Sequence, residues 1–100
     1  RAKGSDKSST YIAPDGCCVN SLVADGCRVE GVVENSILFP GVVVEKGAVV
    51  RNCVLFKEVA VRENAQLSYI IADKNAEVQA GRTLVGHATY PIVLAKNSVV

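Results

Sequence analysis

Between residues 20 and 84 the chain alternates aliphatic and other residues in short runs, each closed by polar residues or glycine. Cut before each Asn-Ser-like dipeptide, it reads NSLVADGCRVEGVVE, NSILFPGVVVEKGAVVR, NCVLFKEVAVRENAQL and SYIIADKNAEVQAGRTL, at 20–34, 35–51, 52–67 and 68–84. A unit this short excludes helical repeats of roughly 33–47 residues and leucine-rich repeats of about 20–29. Alternation with a period of two is the mark of a strand. Each block holds three triplets with two residues in and one out. The pattern therefore predicts an all-β solenoid of three-sided, hexapeptide-like coils, about four of them complete, with partial coils at the ends.

The triplets assign an interior. On the first side the expected inward pairs are Leu22/Ala24, Ile37/Phe39, Val54/Phe56 and Ile70/Ala72. On the second they are Cys27/Val29, Val42/Val44, Val59/Val61 and Ala76/Val78. On the third they are Gly31/Val33, Ala48/Val50, Ala65/Leu67 and Arg82/Leu84, where only Arg82 is out of keeping with a buried column. Asp25-Gly26, Pro40-Gly41, Lys57-Glu58 and Asp73-Lys74-Asn75 supply corners on one edge. Glu45-Lys46-Gly47, Arg62-Glu63-Asn64 and Gln79-Ala80-Gly81 supply another. Such residues suit turns and left-handed backbone.

The residue at the centre of each triplet points out. It varies on the second side (Arg28, Val43, Ala60, Glu77) and on the third (Val32, Val49, Gln66, Thr83). On the first side it is Val23, Leu38, Leu55 and Ile71, aliphatic in every coil. With strands about 4.8 Å apart, these four predict an apolar ridge. A contiguous apolar patch points to an interface with another domain or subunit; the plainer explanation is the strand preference of aliphatic residues.

Composition narrows the function. One hundred residues, 49% apolar, make one domain with a real core. A net charge of +1 with interspersed signs gives no basic stripe, so neither nucleic acid nor a membrane surface is expected as partner. Residues 1–10 read as a linker or cut end and 11–100 as the β-helix domain. Tyr11 to Val19 reads as a partial coil, since Asp15, Gly16, Cys17 and Val19 echo Asp25, Gly26, Cys27 and Val29.

Single residues offer little chemistry. The cysteines (Cys17, Cys18, Cys27, Cys53) form no C-x-x-C pair, and one histidine cannot complete a zinc set. They read as reduced thiols of a cytoplasmic protein, with Cys27 as a small core residue and Cys53 in the place of Ser21 and Ser36. Asn20, Asn35 and Asn52, with Ser68 in the fourth block, suit a left-handed corner. His87 could serve as a base, but no motif sets a nucleophile or carboxylate beside it, and it reads as a loop residue. No catalytic, cofactor-binding or metal-binding residue is assigned.

The stretch NSLVADGCRVEGVVENSILFPGVVVEKGAVVRNCVL, then ENAQLSYIIADKNAEV, then the closing GH-ATYPIVLAKNSVV, resembles the C-terminal domain of ADP-glucose pyrophosphorylase (glucose-1-phosphate adenylyltransferase). Within that family it is most similar to the D-type regulatory subunit of bacterial glycogen biosynthesis, from about Asp15 to Val100. The resemblance implies a left-handed parallel β-helix serving subunit assembly and regulation. Catalysis, joining ATP and glucose 1-phosphate into ADP-glucose and pyrophosphate, is implied for a separate N-terminal domain, with Mg2+ and ATP bound only there. That domain and other pyrophosphorylase subunits are the implied partners. A hexapeptide acyltransferase or zinc hydratase of the same fold is the alternative. A hydratase needs several histidines, and an acyltransferase histidine belongs between coils, whereas His87 follows the last block.

Overall fold

A computed structural model describes residues 9–100, so most of the expected linker lies outside it. Thr10 already belongs to the coil, its hydroxyl donating to the Ala24 carbonyl at 2.7 Å. Fifteen short strands follow, and among the described residues there is no helix.

The strands stack into three parallel five-stranded sheets, one per side of a prism. The first side holds β3 (Leu22–Val23), β6 (Ile37–Leu38), β9 (Val54–Leu55), β12 (Ile70–Ala72) and β15 (Ile92–Leu94). The second holds β1 (Tyr11–Ile12), β4 (Arg28–Val29), β7 (Val43–Val44), β10 (Ala60–Val61) and β13 (Glu77–Val78). The third holds β2 (Cys17–Val19), β5 (Val32–Glu34), β8 (Val49–Arg51), β11 (Gln66–Ser68) and β14 (Thr83–Val85). The chain visits the sides in turn, and each strand pairs in parallel with the one a coil away. This is the predicted β-solenoid.

Two sides have the interior that the triplets assign. Cys27, Val29, Val42, Val44, Val59, Val61, Ala76 and Val78 are buried on the second, and Val33, Ala48, Val50, Ala65 and Leu67 on the third. Arg82 is exposed where the last coil opens. Corners follow the expected chemistry. Gly26, Gly41, Glu58, Asn75 and Asn97 carry positive φ at one edge, and Gly47, Asn64 and Gly81 at the next. The third edge is made by Asn20, Asn35, Asn52 and Tyr69, at φ 49, 49, 54 and 55. The fourth coil thus turns on Tyr69 rather than on Ser68, which sits on β11 opposite Arg51.

The first coil is shorter than its successors. Asn20 and Asn35 are 15 residues apart, whereas Ser36 and Cys53 are 17 apart. Gly31 stands at the trimmed corner, where a Cβ would run into the carbonyl oxygens of Ala48 and Glu45. Glycine is required there by space.

Candidate docking face

The first side departs from the expected register. Leu38 and Leu55, predicted to point outward, are core residues at 1% and 0% exposure. Val23, assigned outward with them, aligns with Leu38 and packs against the core, half-buried in the open first coil. Ile71 alone of that set is outward, because its register partner is Val54 and not Leu55. Leu22, Ile37 and Phe39, expected inside, are exposed, while Ile70 and Ala72 are buried as expected.

The cause is a polar residue that faces in. Ser36 is buried, donating its hydroxyl to the Glu34 carbonyl at 2.8 Å and accepting from the Cys53 N–H at 3.0 Å. Ser21 repeats this one coil earlier, donating to the Val19 carbonyl and accepting from the Ser36 N–H. Cys53 takes the same place a coil later, its Sγ donating to the Arg51 carbonyl at 3.1 Å. The hydroxyl in this position pairs the next coil's N–H, which would otherwise be buried unpaired, and adds a second bond to a carbonyl that already accepts one from the backbone. The true inward pairs are therefore Ser21/Val23, Ser36/Leu38, Cys53/Leu55 and Ile70/Ala72. The sequence carried one usable sign of this, the interchange of Ser and Cys in a single column.

What then faces outward is still apolar. Leu22, Ile37, Val54, Ile71 and Val93 are successive register partners down the side. Leu22 and Val93, at the two ends, are 70% and 67% exposed. Beside them Phe39 and Phe56 stack with ring centroids 4.7 Å apart and planes at 14°. A shallow groove of about 250 Å³ lies at the first-coil end, lined by Leu22, Val23, Ala24, Ile37, Leu38 and Phe39. The expected apolar ridge is thus present on the expected side, carried by the neighbouring residues.

The second side contrasts with it. Arg62 donates to Glu77 at 2.9 Å and to Glu45 at 3.0 Å, and these bonds raise the guanidinium pKa above its ordinary value. Arg28 pairs with Glu30 at 2.7 Å. On the third side Arg51 reaches Glu34 at 2.9 Å. Those sides carry charges suited to water; the first presents hydrocarbon.

Other candidate residues have structural places. Cys27 fills the small core slot expected of it. Burial pushes the Cys53 thiol up to about 11. Cys17 is exposed and Cys18 half-buried. His87 lies on an exposed turn, its N–H donating to the Tyr90 carbonyl at 3.2 Å and accepting the reverse bond at its own carbonyl. Asn20 donates through Nδ2 to Asn35 Oδ1 at 2.5 Å, one rung of a corner ladder.

A three-sided parallel coil with hexapeptide-like units and one apolar face defines a hexapeptide-repeat, left-handed β-helix domain. The chain belongs to the family described as GlmU-like, C-terminal hexapeptide, which it matches over residues 7–89. It is 43% identical over 97 residues to the glycogen biosynthesis protein GlgD of Bacillus subtilis, covering 97% of this chain and 28% of that protein. It is 37% identical over 78 residues to a glucose-1-phosphate adenylyltransferase of Acetivibrio thermocellus, covering 78% of this chain and 18% of the relative. Over 41 residues, 41% of the chain and 11% of the relative, it is 56% identical to a glucose-1-phosphate adenylyltransferase of Geobacillus stearothermophilus. The chain is a hexapeptide domain homologous to part of these proteins, and the matches span less than a third of their length.

Proposed function

We propose that this domain serves subunit assembly and regulation in a glucose-1-phosphate adenylyltransferase-like protein of glycogen biosynthesis, working in the cytoplasm. Nucleotide and Mg2+ chemistry belongs, in this reading, to a catalytic region outside the 100 residues. Kinship with GlgD along 97% of the chain supports the setting. The observation that carries the role is the outward column Leu22, Ile37, Val54, Ile71 and Val93. Core packing does not require an apolar residue at any of these positions, and water disfavours five in a row.

Co-sedimentation of the chain with a glucose-1-phosphate adenylyltransferase, such as that of Acetivibrio thermocellus, tests this. Association is expected, and Arg28→Ala on the solvated side should leave it intact. The chain alone should make no ADP-glucose. Acetyl-CoA turnover that vanishes in His87→Ala, with no association, would instead establish the acyltransferase alternative.

A further inference from the structure

We propose that the first face is closed by the same face of a second copy of this chain, the two coils running antiparallel about a two-fold axis that lies along the strands through Val54. This rests on reading the face as the assembly surface, and names its occupant. The outward column is close to a palindrome. Val54 stands two register steps from Leu22 on one side and two from Val93 on the other. The two-fold sets Ile37 opposite Ile71 of the second copy, and Leu22 opposite its Val93.

One end of the face also carries a groove. At one end Leu22, Ala24, Ile37 and Phe39 border the groove of about 250 Å³. At the other, Val93 projects at 67% exposure, followed by the core residue Leu94 and the small Ala95. The antiparallel arrangement places the projection of each copy over the groove of the other, twice.

Charge along the bordering corner selects the same orientation. Carbonyls of Asp25, Pro40, Lys57 and Lys74 accept from the N–H groups of Gly41, Glu58, Asn75 and Asn97, which aligns the corner coil by coil. Its exposed charges run from Asp25 at one end, through Lys57, Glu58 and Lys74, to Lys96 at the other. A two-fold along the strands joins like corners in reversed order, so Asp25 meets Lys96 of the second copy. Near the axis each copy brings both Lys57 and Glu58, so the middle of the seam carries no net charge. With the coils parallel, this corner would lie against the Asn20, Asn35 and Asn52 corner and the end charges would go unmatched.

Five strands at about 4.8 Å make a face about 20 Å tall. Two such faces bury roughly 1,000 Å², near the low end for a specific interface. The dimer should therefore be reversible, dissociating in the micromolar range.

The test uses disulfide trapping and sedimentation of the chain alone, in a Cys17→Ser background. Leu22→Cys and Val93→Cys chains should cross-link when mixed, and neither should cross-link with itself. Self-cross-linking of each would overturn the antiparallel arrangement. Asp25→Lys should weaken the dimer by roughly tenfold, through two like-charge contacts per dimer, and adding Lys96→Asp should restore it. A chain that is monomeric at 100-fold dilution and at about 1 mM alike would overturn the dimer itself. If that monomer still associates with the adenylyltransferase, the assembly reading stands and only its occupant falls. If the chain dimerises but ignores the adenylyltransferase, the reverse holds.

Discussion

Ser36 and Cys53 decide the register of a whole side. Each puts a short polar group inside the coil and returns its hydrogen bond to the corner backbone. Removing the Ser36 hydroxyl strands the Cys53 N–H, while the Glu34 carbonyl keeps its bond from the Asn52 N–H, so Ser36→Ala should cost about 1–3 kcal/mol, read as a lowered denaturant midpoint. Cys53 adds a pH dependence. Its folded value of about 11 lies above the ordinary 9.0, so the core holds the neutral thiol. That stabilisation is complete below pH 9 and is lost as pH rises through about 11, because the unfolded chain ionises first. Cys53→Ser, which keeps the hydrogen bond of Ser36, should flatten the alkaline fall in thermal midpoint between those values. An unchanged slope would place the titrating group elsewhere. Glu58 is the one corner residue of its column that is neither Gly nor Asn, at φ 62. Left-handed backbone costs ordinary residues roughly 1–2 kcal/mol, and Asn bears it better. Glu58→Asn should gain about 1 kcal/mol and raise the thermal midpoint by roughly 5 °C.

At the level of the strands, period-two alternation made the second and third sides readable residue by residue. Their inward slots hold Val, Ala, Cys, Leu and one Gly, apart from Arg82 at the open end, and the polar centres Arg28, Glu77, Gln66 and Thr83 fix the register that Val42-Val43-Val44 alone would leave open. On the first side three consecutive apolar residues (Ile37-Leu38-Phe39, Val54-Leu55-Phe56) fit either register equally well. The choice turned on whether a serine could face in, which depends on hydrogen bonds that spacing does not display. A one-residue slip exchanges every inside for every outside, and that is what separated Leu38 and Leu55 from Ile37 and Val54. The fourth coil escaped the slip because Ile70 and Ala72 flank Ile71 in the true register as well as in the expected one. Serine substitutions distinguish the two registers. Leu55→Ser should lose at least ~3 kcal/mol through cavity and buried hydroxyl, whereas Val54→Ser should stay within about 1 kcal/mol. Equal losses would show that Val54 is packed inside. Val61→Asp, at the centre of the second side, should unfold the coil by burying an unpaired charge.

The described coils form a prism whose three sides do different things. The second and third carry ion pairs and face water; the first is hydrocarbon from Leu22 to Val93. A β-helix propagates strand pairing along its axis, so each side offers a rigid strip with fixed side-chain spacing, well suited to hold subunits in register. Far-UV circular dichroism should show strand with almost no helix. Sedimentation velocity of Ile37→Ser/Val54→Ser beside the parent chain, with thermal melts of both, tests the assigned face most directly. The double variant should melt within a few degrees of the parent while its larger species give way to monomer. A variant that melts far below the parent, or that assembles just as the parent does, would contradict the face assigned here.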